Sequence, residues 1–152
     1  MIIEEASESD LQEILDLQKL AFQIQGEIYN DFTIPPLVQT LEEIKNDFLL
    51  QVFLKTEKDG KIIGSVRGFK IDDSCYIGRL IVHPDYQNQG IGSKLLNEIE
   101  RAFTTVSRYE LFTGHKSEKE IYFYQKQGYN IFKKEKVDEI LTMVYFEKKR
   151  EQ

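Results

Sequence analysis

YIGRLIVHPDYQNQGIGSKLLNEIE, residues Tyr76 to Glu100, opens as a strand and closes as an amphipathic helix. Leu80, Ile81 and Val82 form the apolar end of the strand, a continuous run that suits burial on both faces. Leu95, Leu96, Ile99, Ala102 and Phe103 share one helical stripe. Between strand and helix, Gln87-Asn88-Gln89-Gly90-Ile91-Gly92 places two glycines where the helix should begin. A helix N-terminus presents unpaired N–H groups and the positive end of the helix dipole. Glycines there let an anion such as a phosphate reach the backbone. The hexapeptide therefore predicts an anion cradle, with a plain tight turn as the alternative. Two other phosphate motifs fail on spacing. A P-loop needs an earlier glycine, and a dinucleotide fingerprint needs a small residue where Leu95 stands.

The rest of the chain frames that stretch. Residues 2–6 read as a short first strand, and Ser9 with Gln12 has capping-box spacing before the apolar series Leu11, Ile14, Leu15, Ala21 and Ile24. Gly26 and the Pro35-Pro36 pair make residues 25–39 a loop, and Thr40 with Glu43 caps a second helix. From Gln51 the period changes to two, with strands joined at Asp59-Gly60, a hairpin signal. A strand from Ser107, a helix capped by Ser117 and Glu120 and stopped at Gly128, and a final hairpin complete the order βαα, βββ, αβ, αββ. This predicts one α/β domain over residues 1–152. Its mixed sheet is mostly antiparallel, with parallel neighbours around the glycine motif and helices on both faces.

Composition narrows the function. With 152 residues and a net charge of −6, the chain can bury a core and lacks the basic face that nucleic acid needs. No apolar run is long enough for a membrane span, and the acidic MIIEEASESD start is unlike a signal peptide. One cysteine, Cys75, excludes an internal disulfide, and with only His83 and His115 it makes a zinc site implausible. The expectation is a cytoplasmic, metal-independent protein.

Q-x-x-G-x-G directly after a strand ending in L-x-V-x-P resembles the acetyl-CoA motif of the GCN5-related N-acetyltransferases. SEKEIYFYQKQGY, residues 117–129, resembles the same family's later helix, where an aromatic-tyrosine pair precedes a glycine-aromatic pair. Element order, motif positions and length match over nearly the whole chain. The resemblance implies a sheet splayed between the fourth and fifth strands, with a strand bulge for which Gly78 is the candidate. It implies acetyl-CoA as co-substrate, with Leu80, Ile81 and Val82 along its pantetheine arm and Gln87, Asn88, Gln89, Gly90, Ile91, Gly92 and Ser93 around its pyrophosphate. Ser117 stands where many members carry an asparagine on the cofactor arm, and Tyr124 occupies the place of the usual general acid. Lys116 and Lys119 either flank the phosphates or are a solvated helix start.

The implied reaction is direct attack of a primary amine on the thioester through a tetrahedral intermediate. A lysine-like amine of pKa about 10.4 is neutral in roughly one molecule in a few thousand at pH 7, so a base is expected. Glu110 is the first choice, followed by Glu27 and His115. Tyr124 protonates the departing thiolate at a cost of about 2 kcal/mol. Arg67 and Arg79 either pair with strand carboxylates such as Glu110, the favoured reading, or face the substrate. The acceptor, a small molecule or a peptide, is assigned to residues 24–43, with Glu27 and Tyr29 as candidate contacts. Glu27, Asp31, Glu42 and Glu43 there predict a cationic acceptor. A non-catalytic acyl-CoA-binding module is the alternative function, and an edge strand near the C-terminus is free to pair with a second copy.

Overall fold

The period-two segments fold into β1 (Ile3–Glu5), β2 (Val52–Lys58), β3 (Lys61–Ile71), β4 (Ser74–Val82), β5 (Arg108–Gly114), β6 (Asn130–Lys136) and β7 (Thr142–Lys149). The helical segments are α1 (Leu11–Ala21), α2 (Gln23–Tyr29), α3 (Pro35–Val38), α4 (Leu41–Leu50), α5 (Ile91–Ala102) and α6 (Glu118–Lys126). A computed structural model describes residues 1–150 and orders one sheet β1-β2-β3-β4-β5-β7-β6. Among the described residues only β4 and β5 run parallel, across the α5 crossover. The chain thus has the mixed α/β fold that its sequence predicts.

Each sheet face has its own core. On one face, Leu95, Leu96 and Ile99 of α5 and Tyr124 of α6 pack on Val66, Cys75, Ile77, Leu111 and Phe146. On the other, Leu11, Ile14 and Leu15 of α1 and Ile44 of α4 cover Phe53, Ile62 and Ile81. The β2–β3 turn takes Asp59 and Gly60 at φ 54° and 77°, the left-handed pair that matches sheet twist. Gly128 closes α6 at φ 95°, and the Gly128 and Tyr129 amides donate to the Gln125 and Tyr124 carbonyls. No helix among the described residues is long and apolar enough to cross a membrane.

Several local expectations change. The first cap is Ser7 with Asp10, ahead of a short 3-10 turn, rather than Ser9 with Gln12. Residues 25–39 are not all loop. Gly26 lies inside α2, where the Phe32 ring occupies the space of a Cβ, and Pro35 starts α3 at a position that needs no N–H. Thr40 and Glu43 do form the predicted reciprocal cap at 2.9 and 3.1 Å. Ser117 and Glu120 do not, because both side chains turn away from the helix end to partners described below.

Candidate functional site: a cleft where two parallel strands part

β4 pairs with β5 only from Ser74 to Tyr76, opposite Arg108 to Glu110. Beyond that point β5 continues beside β7 as far as Gly114. The β5-facing edge of β4 therefore has no ladder partner from Ile77 to Val82. A bulge accompanies the parting. Ser65 opposes Ile81 and Arg67 opposes Gly78, leaving one residue between them on β3 and two on β4. The distorted residue is Arg79, at φ 49°, rather than the predicted Gly78. A left-handed conformation without glycine costs about 1–2 kcal/mol. The extra residue shifts the alternation, so Ile77 faces α5 while Ile81 faces α1 and α4. Leu80 and Val82 are only half-buried, against the expected two-sided burial, because they line an open cleft.

The cleft holds about 310 Å³. Its walls are the end of α1 (Ala21, Phe22), α2 through Ile24, Gln25 and Ile28, β4 from Leu80 to Val82, Gln87, and the run Lys116 to Glu120. Next to Gln87 the backbone passes through left-handed Asn88 (φ 62°) and Gly90 (φ 82°) into α5. Lys94 donates to the Gly90 carbonyl at 3.1 Å as the helix ladder begins, so the Ile91, Gly92 and Ser93 amides lack helical acceptors. A Cβ on Gly90 would meet nothing within 4 Å, so its backbone angle, not crowding, calls for glycine. At Gly92 a Cβ would rest 3.6 Å from the Phe123 ring, an ordinary contact. His83 accepts from the Asp85 amide at 3.1 Å and ends the strand, as its place before Pro84 suggests.

Hydrogen bonds fix the opposite wall. Tyr29, buried at the end of α2, shares a 2.8 Å hydrogen bond with Ser117 Oγ and accepts from the Lys116 amide at 3.0 Å. Its phenol occupies the space that a Cβ on Gly114 would need. Ser117 also donates to Gln25 Oε1 at 2.6 Å. Gln25 Nε2 donates to Glu120 at 3.2 Å, and Thr113 Oγ1 donates to the other Glu120 oxygen. Burial pushes the Glu120 carboxyl above its ordinary value, and the Thr113 bond only partly opposes this. Tyr124, one turn further along α6, packs on Phe123, Tyr129 and Phe146 with ring centroids 5.5–6.2 Å away. Burial, reinforced by the charge of Glu120, raises its phenol well above the ordinary 10 and keeps it neutral. Among the described residues, Tyr124 Oη has no hydrogen-bond partner, yet it is not a sealed orphan; the sealed one is Arg79 Nε.

The structure brings Leu80, Ile81, Val82, Gln87 and Ser117 together in the cleft and sets Asn88 to Ser93 beside it. It does not bring Glu110 there. Glu110 lies opposite Tyr76, about 13 Å down the strand from Leu80, in a 3.0 Å ion pair with Arg108. Glu27 is exposed on α2, and Tyr29 is a buried strut rather than a surface contact. His115 accepts from the Thr142 amide at 2.9 Å through Nδ1. Arg67 pairs with Asp47 of α4 instead of a strand carboxylate, and among the described residues Arg79 pairs with none. Sequence reasoning missed Glu120 and Gln25. The capping-box spacing of Glu120 disguised a carboxyl group that faces the cleft.

Comparison with known proteins agrees with this geometry. A family model described as Acetyltransferase (GNAT) family matches residues 11–129. The chain is 29% identical over 118 residues to UPF0157 protein YqkA of Bacillus subtilis (strain 168), covering 78% of this chain and 34% of that protein. It therefore spans about a third of the length of that curated relative. Among solved structures it is similar to the PaiA N-acetyltransferase from Thermoplasma acidophilum in complex with coenzyme A. That similarity has a TM-score of 0.80 and 20% identity, over 99% of this chain and 100% of that one. An acetyltransferase of the GNAT family from Streptococcus pneumoniae gives 0.76 and 21%, over 97% and 98% of the two chains.

Proposed function

The chain belongs to the GNAT acetyltransferase family, and we propose that it transfers an acetyl group from acetyl-CoA to a primary amine. One observation carries this reading. The unpaired edge of β4, from Ile77 to Val82, borders a cleft that Gln87 links to the free amides at the start of α5. An extended amide-bearing arm would add to that edge as a strand, while a pyrophosphate takes the Ile91 to Ser93 amides. Lys116 and Lys119 add positive charge at the wall. The space around Gly90 is open.

Acetyl-CoA supplies the activated carbonyl, and the chain supplies proton management. Of the two carboxylates on the cleft wall Glu118 is exposed, and Glu120, whose affinity for protons burial raises, is suited to take one from the acceptor ammonium. Tyr124 stays neutral, and it is the phenol assigned to protonate the departing sulfur, a transfer that its raised pKa makes costlier than the about 2 kcal/mol of an ordinary tyrosine. Glu120, one turn away, then returns its proton to the phenolate. The second proton of the attacking nitrogen leaves to solvent as the tetrahedral intermediate collapses, so the side chains end as they began and one proton is released per acetyl group transferred.

Calorimetry with acetyl-CoA, combined with thiol release across a panel of primary amines, tests the proposal. Binding together with amine-dependent release is expected. Binding with no release from any amine would make this an acyl-CoA-binding module, and absence of binding would contradict the reading at its root.

A further inference from the structure

The sheet face covered by α1 and α4 buries more positive charge than negative. Arg67 on β3 is 3% exposed and fully engaged. It bonds Asp47 at 3.4 Å, Gln39 at 3.3 Å and Gln18, and its guanidinium lies 4.7 Å from the centre of the Phe53 ring. Arg79, on the β4 bulge, lies close enough for its charge to act on Arg67. Arg79 is different in one respect. Its Nε is sealed from solvent without a hydrogen-bond partner, and no ion pair among the described residues includes its guanidinium. Asp47 is the carboxylate whose field reaches it, but Asp47 is already bonded by Arg67 and by Gln39 at 2.7 Å. Two guanidinium groups share one carboxylate, which leaves one positive charge uncompensated.

The neighbouring backbone leaves open space on this face. Gly78 stands in register with Arg67 on the same face, and a Cβ there would meet nothing within 4 Å. Arg79 lies in the stretch of β4 that β5 leaves unpaired, immediately before the cleft residues Leu80 to Val82. Across the gap, the Tyr76–Glu110 pairing puts Phe112 on this same face of β5, 49% exposed and 5.6 Å from the Tyr145 ring centre. The carboxylates that suggested a cationic acceptor do not answer this charge. Glu27 and Glu42 are exposed, Asp31 is bonded to Thr33 and Glu43 to Thr40.

We propose that Arg79 docks a carboxylate of the acceptor, which is therefore a primary amine that also carries a carboxylate, set between the Arg67–Arg79 pair and the Phe112 ring. One uncompensated positive charge matches a single carboxylate better than a doubly charged phosphoryl group. A guanidinium fork also holds a carboxylate in a fixed orientation, which would aim the amine at the cleft. The inference rests on the acetyl-transfer reading above for what happens to that amine, but not for the anion site itself.

The test compares amines with their decarboxylated twins, phenylalanine with phenethylamine and β-alanine with ethylamine, by thiol release from acetyl-CoA. The carboxylate-bearing member of each pair should be favoured by about 10-fold or more in kcat/KM, a preference that Arg79→Gln removes mainly through KM. Arg79→Lys, which keeps the charge, should retain part of it and guards against a folding defect. Turnover of the decarboxylated twins alone, or an unchanged ratio in Arg79→Gln, would overturn the inference and leave acetyl transfer standing. An amine-free carboxylate, phenylacetate, gives a readout without turnover. Calorimetry should show it binding the wild-type protein and not Arg79→Gln, even if no amine reacts. Equal binding to both, or to neither, overturns the anion site.

Discussion

Replacing Tyr124 by phenylalanine removes one oxygen and keeps the ring among Phe123, Tyr129 and Phe146. Because Tyr124 Oη has no partner within the described chain, the change breaks no internal hydrogen bond and should alter stability by less than about 1 kcal/mol. If the phenol protonates the departing thiolate, turnover falls by about 10²–10⁴-fold, or roughly 3–5 kcal/mol of barrier. Tyr129→Phe is the control. Tyr129 is 1% exposed, and its Oη donates at 2.7 Å to Glu100, which also holds Lys148 at 3.0 Å. Losing that charged, buried bond should cost about 1.5–3 kcal/mol, a melting point lower by roughly 3–12 °C, with turnover retained. The two variants thus separate catalysis from packing in opposite directions. Thiol release followed with a coloured reagent suits the comparison, because the single cysteine, Cys75, is fully buried and its thiol is pushed up to about 12. Wild-type turnover in Tyr124→Phe, or a rate loss that merely tracks lost stability, would refute the assignment.

Three further outcomes follow from the same geometry. The raised Glu120 carboxyl stabilises the fold fully below its ordinary value of 4.5, and that contribution disappears as pH climbs through the folded-state value. Glu120→Gln should therefore melt higher than wild type at neutral pH and lose activity, whereas an unchanged pH dependence of melting would remove Glu120 from this role. Gly90→Val forces a β-branched residue to φ 82° and should weaken acetyl-CoA binding about 10-fold or more by calorimetry, while Gly92→Ala, with room for a methyl group, should not. Equal affinity in a folded Gly90→Val protein would contradict the cradle. Ser117→Ala removes bonds to both Tyr29 and Gln25 and should lower stability by about 1–3 kcal/mol; a melting point equal to wild type would show that the cleft wall does not depend on them.

The order of elements along the chain, the β4–α5–β5 crossover and the glycine start of α5 were legible because local signals carry them. Apolar periodicity, the Asp59-Gly60 turn and the Gly90 helix start each act within a few residues. The bulge was placed one residue early, at Gly78, because glycine is the usual tenant of strained strand positions and sequence offers no sign that Arg79 would accept φ 49°. Capping boxes at Ser9 and Ser117 were misread for a related reason. The spacing records which side chains are able to cap, but Ser117 finds Tyr29 from a helix 88 residues away in sequence. Glu110 looked like a base because it lies on the strand after α5, yet the Arg108 two residues before it claims its carboxylate. The Arg67–Asp47–Gln18–Gln39 network joins α1, α4, β3 and the segment between α3 and α4, so no window of sequence contains it.

The most direct measurement is a crystal structure of the protein grown with acetyl-CoA. The pantetheine arm should run along Leu80 to Val82 in the opening between β4 and β5. The pyrophosphate should sit on the Ile91 to Ser93 amides, and the thioester sulfur should lie within roughly 3.5 Å of Tyr124 Oη. Acetyl-CoA bound elsewhere, or in the cleft with its sulfur turned away from α6, would contradict the account.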